Sequence, residues 1–346
     1  EHIYPRTGPC HVPAGGTAHT QKHSQHKKAF TVSNQSMTHA GTPGSQHMIH
    51  IRITDPEPFL TTTGDPHMNQ TVPNLTGVPE TTLWPLHNRA SEAARPDGCI
   101  RDPKCLEIYR ALDYDYDRSF GPADASHGVR SQLFDQKIAE FLQQHPNGAI
   151  VNLGEGLETE RFRFEEPEYA QSLWLSVDLP EAIALRERFI QPDERHLHIP
   201  LSALDTAWFD AVPPDRPVFI AAQGLFMYFT EDEVGTLTKA MARRFPGALL
   251  MFDYLNTFLS KKTLSEKGWM KTKHYRTPPM PWGLDRDQLT PLFSRWLGQP
   301  VTVHNVTFLY PRGFWHWFVP FAEKHLPRLM NRVPGVCWLQ LPDRQG

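Results

Sequence analysis

The stretch GAIVNLGEG, residues 148–156, decides the fold. A short apolar run closes on Gly154 and Gly156, as a buried strand does when it enters a tight turn. Upstream, HGVRSQLFDQKIAEFLQQH (127–145) sets Val129, Leu133, Ile138, Phe141 and Leu142 near helical spacing, and HPNG stops it. Residues 76–145 as a whole read mainly as helix, including the apolar stripe of TTLWPLHNRASEAA (81–94). Downstream the pattern alternates. SLWLSVDLP (172–180) is a second strand, stopped by Pro180, and EAIALRERF (181–189) a short amphipathic helix. RHLHIPL (195–201) is a third strand, and RPVFIAAQGLFMYF (216–229) contains a fourth. In TEDEVGTLTKAMARRF (230–245), Thr230 and Glu233 form a capping box at the head of a helix. GALLMFDYLN (247–256), VTVHNVTFL (301–309) and GVCWLQL (335–341) complete seven strands. Strands alternating with helices specify an α/β fold: a doubly wound, mostly parallel, Rossmann-like sheet, here behind an N-terminal helical cap.

Such sheets bind ligands beyond the C-terminal ends of their strands. The first strand ends at Gly154-Glu155-Gly156, and the second at Asp178, 24 residues after Gly154. That is the spacing of an acid that accepts hydrogen bonds from both hydroxyls of a nucleoside ribose. The pattern alone fits a dinucleotide or S-adenosylmethionine. A dinucleotide calls for a third glycine, where this chain has Thr159. Glu155 and Glu158 also put negative charge where a pyrophosphate would lie, whereas a sulfonium and an ammonium tolerate it. The balance favours S-adenosylmethionine over NAD.

Composition narrows the class further. The net charge is −3 over 346 residues, without the basic footprint of a nucleic-acid partner. No apolar run reaches the length of a membrane span, and the N-terminus has no signal-peptide h-region. The four cysteines are too few and too scattered for a disulfide framework or a zinc site, so a cytoplasmic, metal-free protein with reduced thiols is expected. Residues 1–67 hold half of the 18 histidines and little aliphatic sequence. They read as a disordered leader without function, ahead of a single domain at 68–346.

VNLGEGLETERFRF (151–164), LSVDLPEAIALRERF (175–189), AAQGLFMYFTEDEV (221–234) and LLMFDYLN (249–256), in that order, resemble the leucine carboxyl methyltransferase superfamily. With PPMPWG (278–283), the resemblance is closer to its bacterial branch of O-methyltransferases of polyketide biosynthesis, the tetracenomycin type. It covers roughly residues 75–300. It implies a class I methyltransferase using S-adenosylmethionine, with a small-molecule methyl acceptor; that there is no nucleic-acid partner is expected from charge, and no membrane partner from run length. By the resemblance, Arg130 pairs with the methionyl carboxylate, Gly154, Glu155 and Gly156 form the first motif, and Asp178, with Leu179 beside it, binds the ribose. Ser202 and Ala203 fall where the family has Asp-Leu near the adenine, and Gln223-Gly224 where it has Glu-Gly. Arg89 aligns loosely with a basic residue near the cofactor carboxylate.

No general base is assigned by sequence. A carboxylate acceptor needs none, while a phenol would. Tyr228, near the end of the fourth strand, fits either an acceptor pocket or the core, and His304 and His316 read as structural. Leu259–Trp282 reads as a lid or a surface insertion, and FWHWFVPF (314–321) as core packing. A non-catalytic binding protein and a nicotinamide-dependent oxidoreductase remain as alternatives.

Overall fold

The computed structural model describes residues 78–343. The expectation of a leader at 1–67 lies outside the described residues. Five helices precede the sheet: α1 (Val78–Thr81), α2 (Leu83–Ala93), α3 (Pro103–Ala111), α4 (Tyr116–Phe120) and α5 (Ser126–Gln144). The strands are β1 (Ala149–Leu153), β2 (Leu173–Asp178), β3 (His196–Pro200), β4 (Val218–Ala222), β5 (Leu249–Tyr254), β6 (His304–Val306) and β7 (Gly335–Gln340). They form a seven-stranded sheet in the order β3-β2-β1-β4-β5-β7-β6. β1 to β5 pair in parallel, and β7 runs antiparallel between β5 and β6. Strand order reverses between β1 and β4, which makes their C-terminal ends the switch point.

The sheet is buried on both faces, and the alternation within each strand shows how. Ala149, Val151 and Leu153 of β1 join Leu175, Ile220 and Phe252 in one core, while Ile150 turns to the other with Trp174, Phe219 and Met251. The first core is covered by α7 (Glu231–Arg244) and α9 (Arg286–Leu297) through Val234, Leu237, Met241, Leu289 and Phe293. The second is covered by α5 through Val129, Phe134, Ile138 and Phe141. The capping box of α7 is present, with Thr230 and Glu233 exchanging side-chain and backbone bonds. A third cluster, Leu83, Leu86, Ile108, Tyr116, Phe120 and Tyr275, welds the cap helices to one another and to the segment after β5. α6 (Pro180–Arg186) lies between β2 and β3, and α8 (Thr257–Leu264) follows β5.

α10 (Gly313–His325) and α11 (Pro327–Met330) sit between β6 and β7. Here the expectation of core packing fails: Phe314, Trp315, Trp317 and Phe321 are all more than half exposed. Their run of aromatics exceeds what the sheet edge can cover, and only Val319 and Ala322 of the helix are buried. Among the described residues, no helix is long and apolar enough to cross a membrane.

Candidate active site

A cavity of about 590 Å³ lies against the C-terminal ends of β1, β2, β4 and β5, at the switch point. Its floor is the turn after β1. Gly154 and Gly156 hold φ of 63° and 53°, a region that costs any residue with a Cβ. A Cβ at Gly154 would come within 2.7 Å of Leu225, and one at Gly156 within 2.7 Å of Thr82. The turn therefore needs glycine for its conformation, and a Cβ would also have to displace the Leu225 and Thr82 side chains.

Asp178, at the tip of β2, lines this cavity. Its Oδ2 accepts the Gly156 N–H at 2.7 Å and its Oδ1 the Leu179 N–H at 2.8 Å. Burial raises its pKa, and the two backbone donors pull against that rise. Arg130 reaches the cavity from α5, donating from Nη1 to Asp253 Oδ2 at 2.7 Å. Asp253, from the end of β5, also accepts the Gly224 N–H at 2.5 Å. Arg130 Nε is buried with no partner, so this guanidinium is only partly satisfied by the protein.

Of the residues named from sequence, Arg130, Gly154, Glu155, Gly156, Asp178, Gln223, Gly224 and Tyr228 line the cavity, as does Arg89. Leu179, Ser202 and Ala203 do not. Leu179 is the N-cap of α6 (Pro180–Arg186), Ser202 Oγ accepts the Leu204 N–H, and Ala203 is buried with its carbonyl on the Trp208 indole. His304 stacks on Trp338, and His316 bonds the Tyr310 carbonyl; neither reaches the cavity.

The two acids of the turn behave differently from what their sequence position implies. Glu155 bonds Arg186 at 2.8 Å, and Glu158 meets Arg89 at 3.0 Å and Arg163 at 2.9 Å. Burial opposes ionisation of Glu158, but Arg89 and Arg163 outweigh it and hold its carboxyl well below the usual range. Their charge is spent inside the protein, so repulsion of a pyrophosphate is not the discriminating feature. The discrimination lies in the chain just beyond the turn. Thr159 is fully buried, donating to Asp102 at 2.6 Å, and the chain then makes only a short 3-10 turn, Glu160–Arg163. The turn thus does not lead into the α-helix whose N-terminus a dinucleotide's pyrophosphate would meet.

Sequence reasoning missed Arg163, Arg186, Asp253 and His127. Arg163 binds Asp135 through two bonds of 2.7 and 2.8 Å and Asp102 at 2.6 Å, tying α5, the N-cap of α3 and the turn after β1 together. Asp253 had a signal, since it is the acid closing the apolar run LLMFDY. His127 lines the cavity beside Trp84. Asn88 Oδ1 accepts the Asp124 N–H, so its Nδ2 faces Asp124 Oδ1 and His127 Nδ1, the latter at 2.8 Å. His127 therefore carries its proton on Nε2. Burial, with Arg130, Arg89 and Lys271 adding to it, keeps the ring neutral by lowering its pKa well below the usual value. Tyr228 is pushed up to about 12, by burial against the opposing pull of Arg130.

The wall opposite the glycine turn comes from the segment after β5, with Leu259, Trp269, Lys271, Tyr275 and Met280. Lys271 stands 4.7 Å over the Trp84 ring, joining this segment to the cap. Val306, Phe308, Tyr310, Trp315 and Val319 also line the cavity, with the Arg286–Glu323 pair among them.

A seven-stranded sheet with one antiparallel strand, and a glycine turn and a strand-end acid at the switch point, have the architecture of a class I S-adenosylmethionine-dependent methyltransferase. Residues 83–242 match the model of the leucine carboxyl methyltransferase family. The chain is 31% identical over 188 residues to the tetracenomycin polyketide synthesis O-methyltransferase TcmP of Streptomyces glaucescens, covering 54% of this chain and 68% of that protein. It is 28% identical over 187 residues to the S-adenosyl-L-methionine-dependent methyltransferase dpfgK of Gibberella zeae, covering 49% and 62% of the two chains. Among solved structures, a putative methyltransferase from Thermobifida fusca aligns with a TM-score of 0.45 at 14% identity, over 66% of this chain and 93% of the other. The chain belongs to the leucine carboxyl methyltransferase family, and it is an enzyme that uses S-adenosylmethionine.

Proposed function

We propose that this enzyme transfers a methyl group to a carboxylate oxygen of a small acceptor with an apolar, aromatic body. The observation that carries the reading is the state of the groups placed to act as a base. His127 Nδ1 is already bonded to Asn88, and Tyr228, pushed up to about 12, stays protonated. Both offer hydrogen-bond donors. An acceptor that is already ionised, such as a carboxylate with a pKa of about 4, needs no proton removed. Lys271 gives it a cation on the cavity wall, and the lining by Phe308, Tyr310 and Trp315 suits an apolar body. TcmP acts, by its name, as an O-methyltransferase of polyketide synthesis, which agrees with such an acceptor.

The residues suit S-adenosylmethionine. Asp178 keeps lone pairs for the ribose hydroxyls, and the unpartnered Nε of Arg130 marks a guanidinium with capacity for the methionyl carboxylate. The glycine turn leaves room for the backbone to approach, with Gln223 and Gly224 across from it. When bound, the cofactor supplies an electrophilic sulfonium methyl. The chain's part is to align the acceptor, hold it by neutral donors and a lysine, and exclude water.

The test uses cofactor with a labelled methyl group and a panel of small aromatic acids and phenols. A methyl ester gives up its label as methanol in mild alkali, and an aryl ether does not. Alkali-labile label on an aromatic acid is the expected result; label transferred only to phenols, and stable to alkali, overturns the carboxylate assignment.

A further inference from the structure

Among the described residues ten large hydrophobic side chains are exposed, and seven of them fall between Leu309 and Leu329. They are ordered rather than scattered. On α10, Phe314, Trp317 and Phe321 are spaced three and four apart and so share one stripe, exposed by 67%, 77% and 54%. The opposite side of the helix carries Val319 and Glu323, which line the cavity. α10 is thus a wall with an apolar outer face. Contiguous exposed aromatics of this kind mark an interaction site.

Charge says what covers it. Glu323 is the only acid between Leu309 and Arg332, and it turns inward to a two-bond pair with Arg286 at 2.8 Å. Outside remain the cations Lys324, Arg328 and Arg332, all exposed. In a chain of net charge −3 these three cations, with exposed Asp287 beside Asn331 as the neighbouring acid, leave a net basic rim by the aromatic stripe. A second copy of the same face would set those cations against their own kind, since a two-fold contact is self-complementary. An anionic bilayer surface meets both features, with aromatic rings at headgroup depth and cations at the phosphates.

We propose that α10 and α11 form an interfacial docking surface for an anionic lipid membrane. The surface brings the cavity wall at Trp315 and Val319 to the bilayer, where an apolar acceptor would be concentrated. It revises the expectation, drawn from run length alone, that the protein has no membrane partner: eight aromatic-rich residues cannot span a bilayer, but a face of one helix can lie on it. The docking claim stands independently of which oxygen is methylated.

The full chain is sedimented with vesicles of phosphatidylcholine alone, or of phosphatidylcholine with phosphatidylglycerol, at low and high salt. Binding to the anionic vesicles, weakened by salt, is expected. Trp317→Ser with Phe321→Ser should lower that binding at least about tenfold, each ring being worth on the order of a decade when buried. Arg328→Glu with Arg332→Glu should lower it too. None of the four residues lines the cavity, so S-adenosylhomocysteine binding should be unchanged in both variants and certifies that they are folded. No binding to either vesicle, equal binding to both, or variants that bind like the parent would overturn the proposal. So would a concentration-dependent dimer that the aromatic substitutions dissolve, which would assign the face to a second copy.

Discussion

Each oxygen of Asp178 accepts one backbone N–H, from Gly156 and from Leu179, which fixes the carboxylate and leaves each oxygen a lone pair. The same side chain shapes the turn and, on the proposed reading, would recognise the ribose. Asp178→Ala should weaken binding of S-adenosylhomocysteine at least about tenfold, as loss of a charge-assisted hydrogen bond does; calorimetric titration checks it, and unchanged affinity would place the ribose elsewhere. Asp178→Asn should do little better, because an amide nitrogen cannot accept the N–H it would face. Arg163 acts on stability instead. It serves Asp102, Asp135 and Glu158 at once, and its side chain is only 6% exposed. Arg163→Met should cost roughly 3–5 kcal/mol in urea unfolding, since it strands buried carboxylates. Asp178 was legible in the sequence because strand end and spacing both identify it. Arg163 was not, because Asp135 and Asp102 lie 28 and 61 residues away on other elements, and neither RFRF nor Glu158 five residues earlier distinguishes it from a surface turn.

At the scale of elements, the strands were legible wherever burial on both faces writes a continuous apolar run. β1, β2, β4 and β5 fall inside the stretches read for them, and the reading of β3 as an alternating strand agrees with its place at the sheet edge. β6 shrinks to His304–Val306 from the wider 301–309, because its only partner is β7. α10 was misread, since aromatic composition reports how much surface a helix would bury and not whether anything is there to bury it. β3 also carries a pH dependence. His196 bonds Ser176 at 3.0 Å, and burial, followed by Arg186 and His198, lowers its pKa to about 2. His198 is lowered to about 4 by burial and then by Arg186. Both bind a proton more readily in the unfolded chain. Their contribution to stability is therefore present above the unfolded pKa of about 6.5 and is lost as pH falls toward the folded values. His196→Gln should flatten the decline in unfolding free energy between pH 6.5 and 5 by up to about 1.4 kcal/mol per pH unit. Comparing the two proteins isolates this residue, because every other titrating group is common to both; parallel curves would mean that His196 is already solvated.

At the scale of the molecule, the cavity belongs to no single element. The cap contributes Thr82, Arg89 and Arg130, the sheet Asp178 and Asp253, and the segment after β5 Tyr275 and Lys271. A ligand spanning them ties together regions far apart in the chain, so binding should register as global stability. A ligand that binds only the folded state adds RT ln(1 + [L]/Kd), about 2.7 kcal/mol at a hundredfold excess over Kd. For a protein of this size that raises the melting temperature by about 5 °C or more. S-adenosylmethionine and S-adenosylhomocysteine should both give such a shift in a thermal scan, and Asp178→Ala should cut it to about half or less at the same concentration. NAD should give none, although it too carries a ribose that Asp178 would accept. The reason is structural: the turn after β1 runs into a buried threonine and a 3-10 turn, and not into the α-helix whose N-terminus would meet a pyrophosphate. Arg89 and Arg186 are committed to Glu158 and Glu155. A shift with NAD equal to that with S-adenosylhomocysteine would show that the glycine turn and the ribose acid suffice for binding, and that the missing helix carries no discrimination.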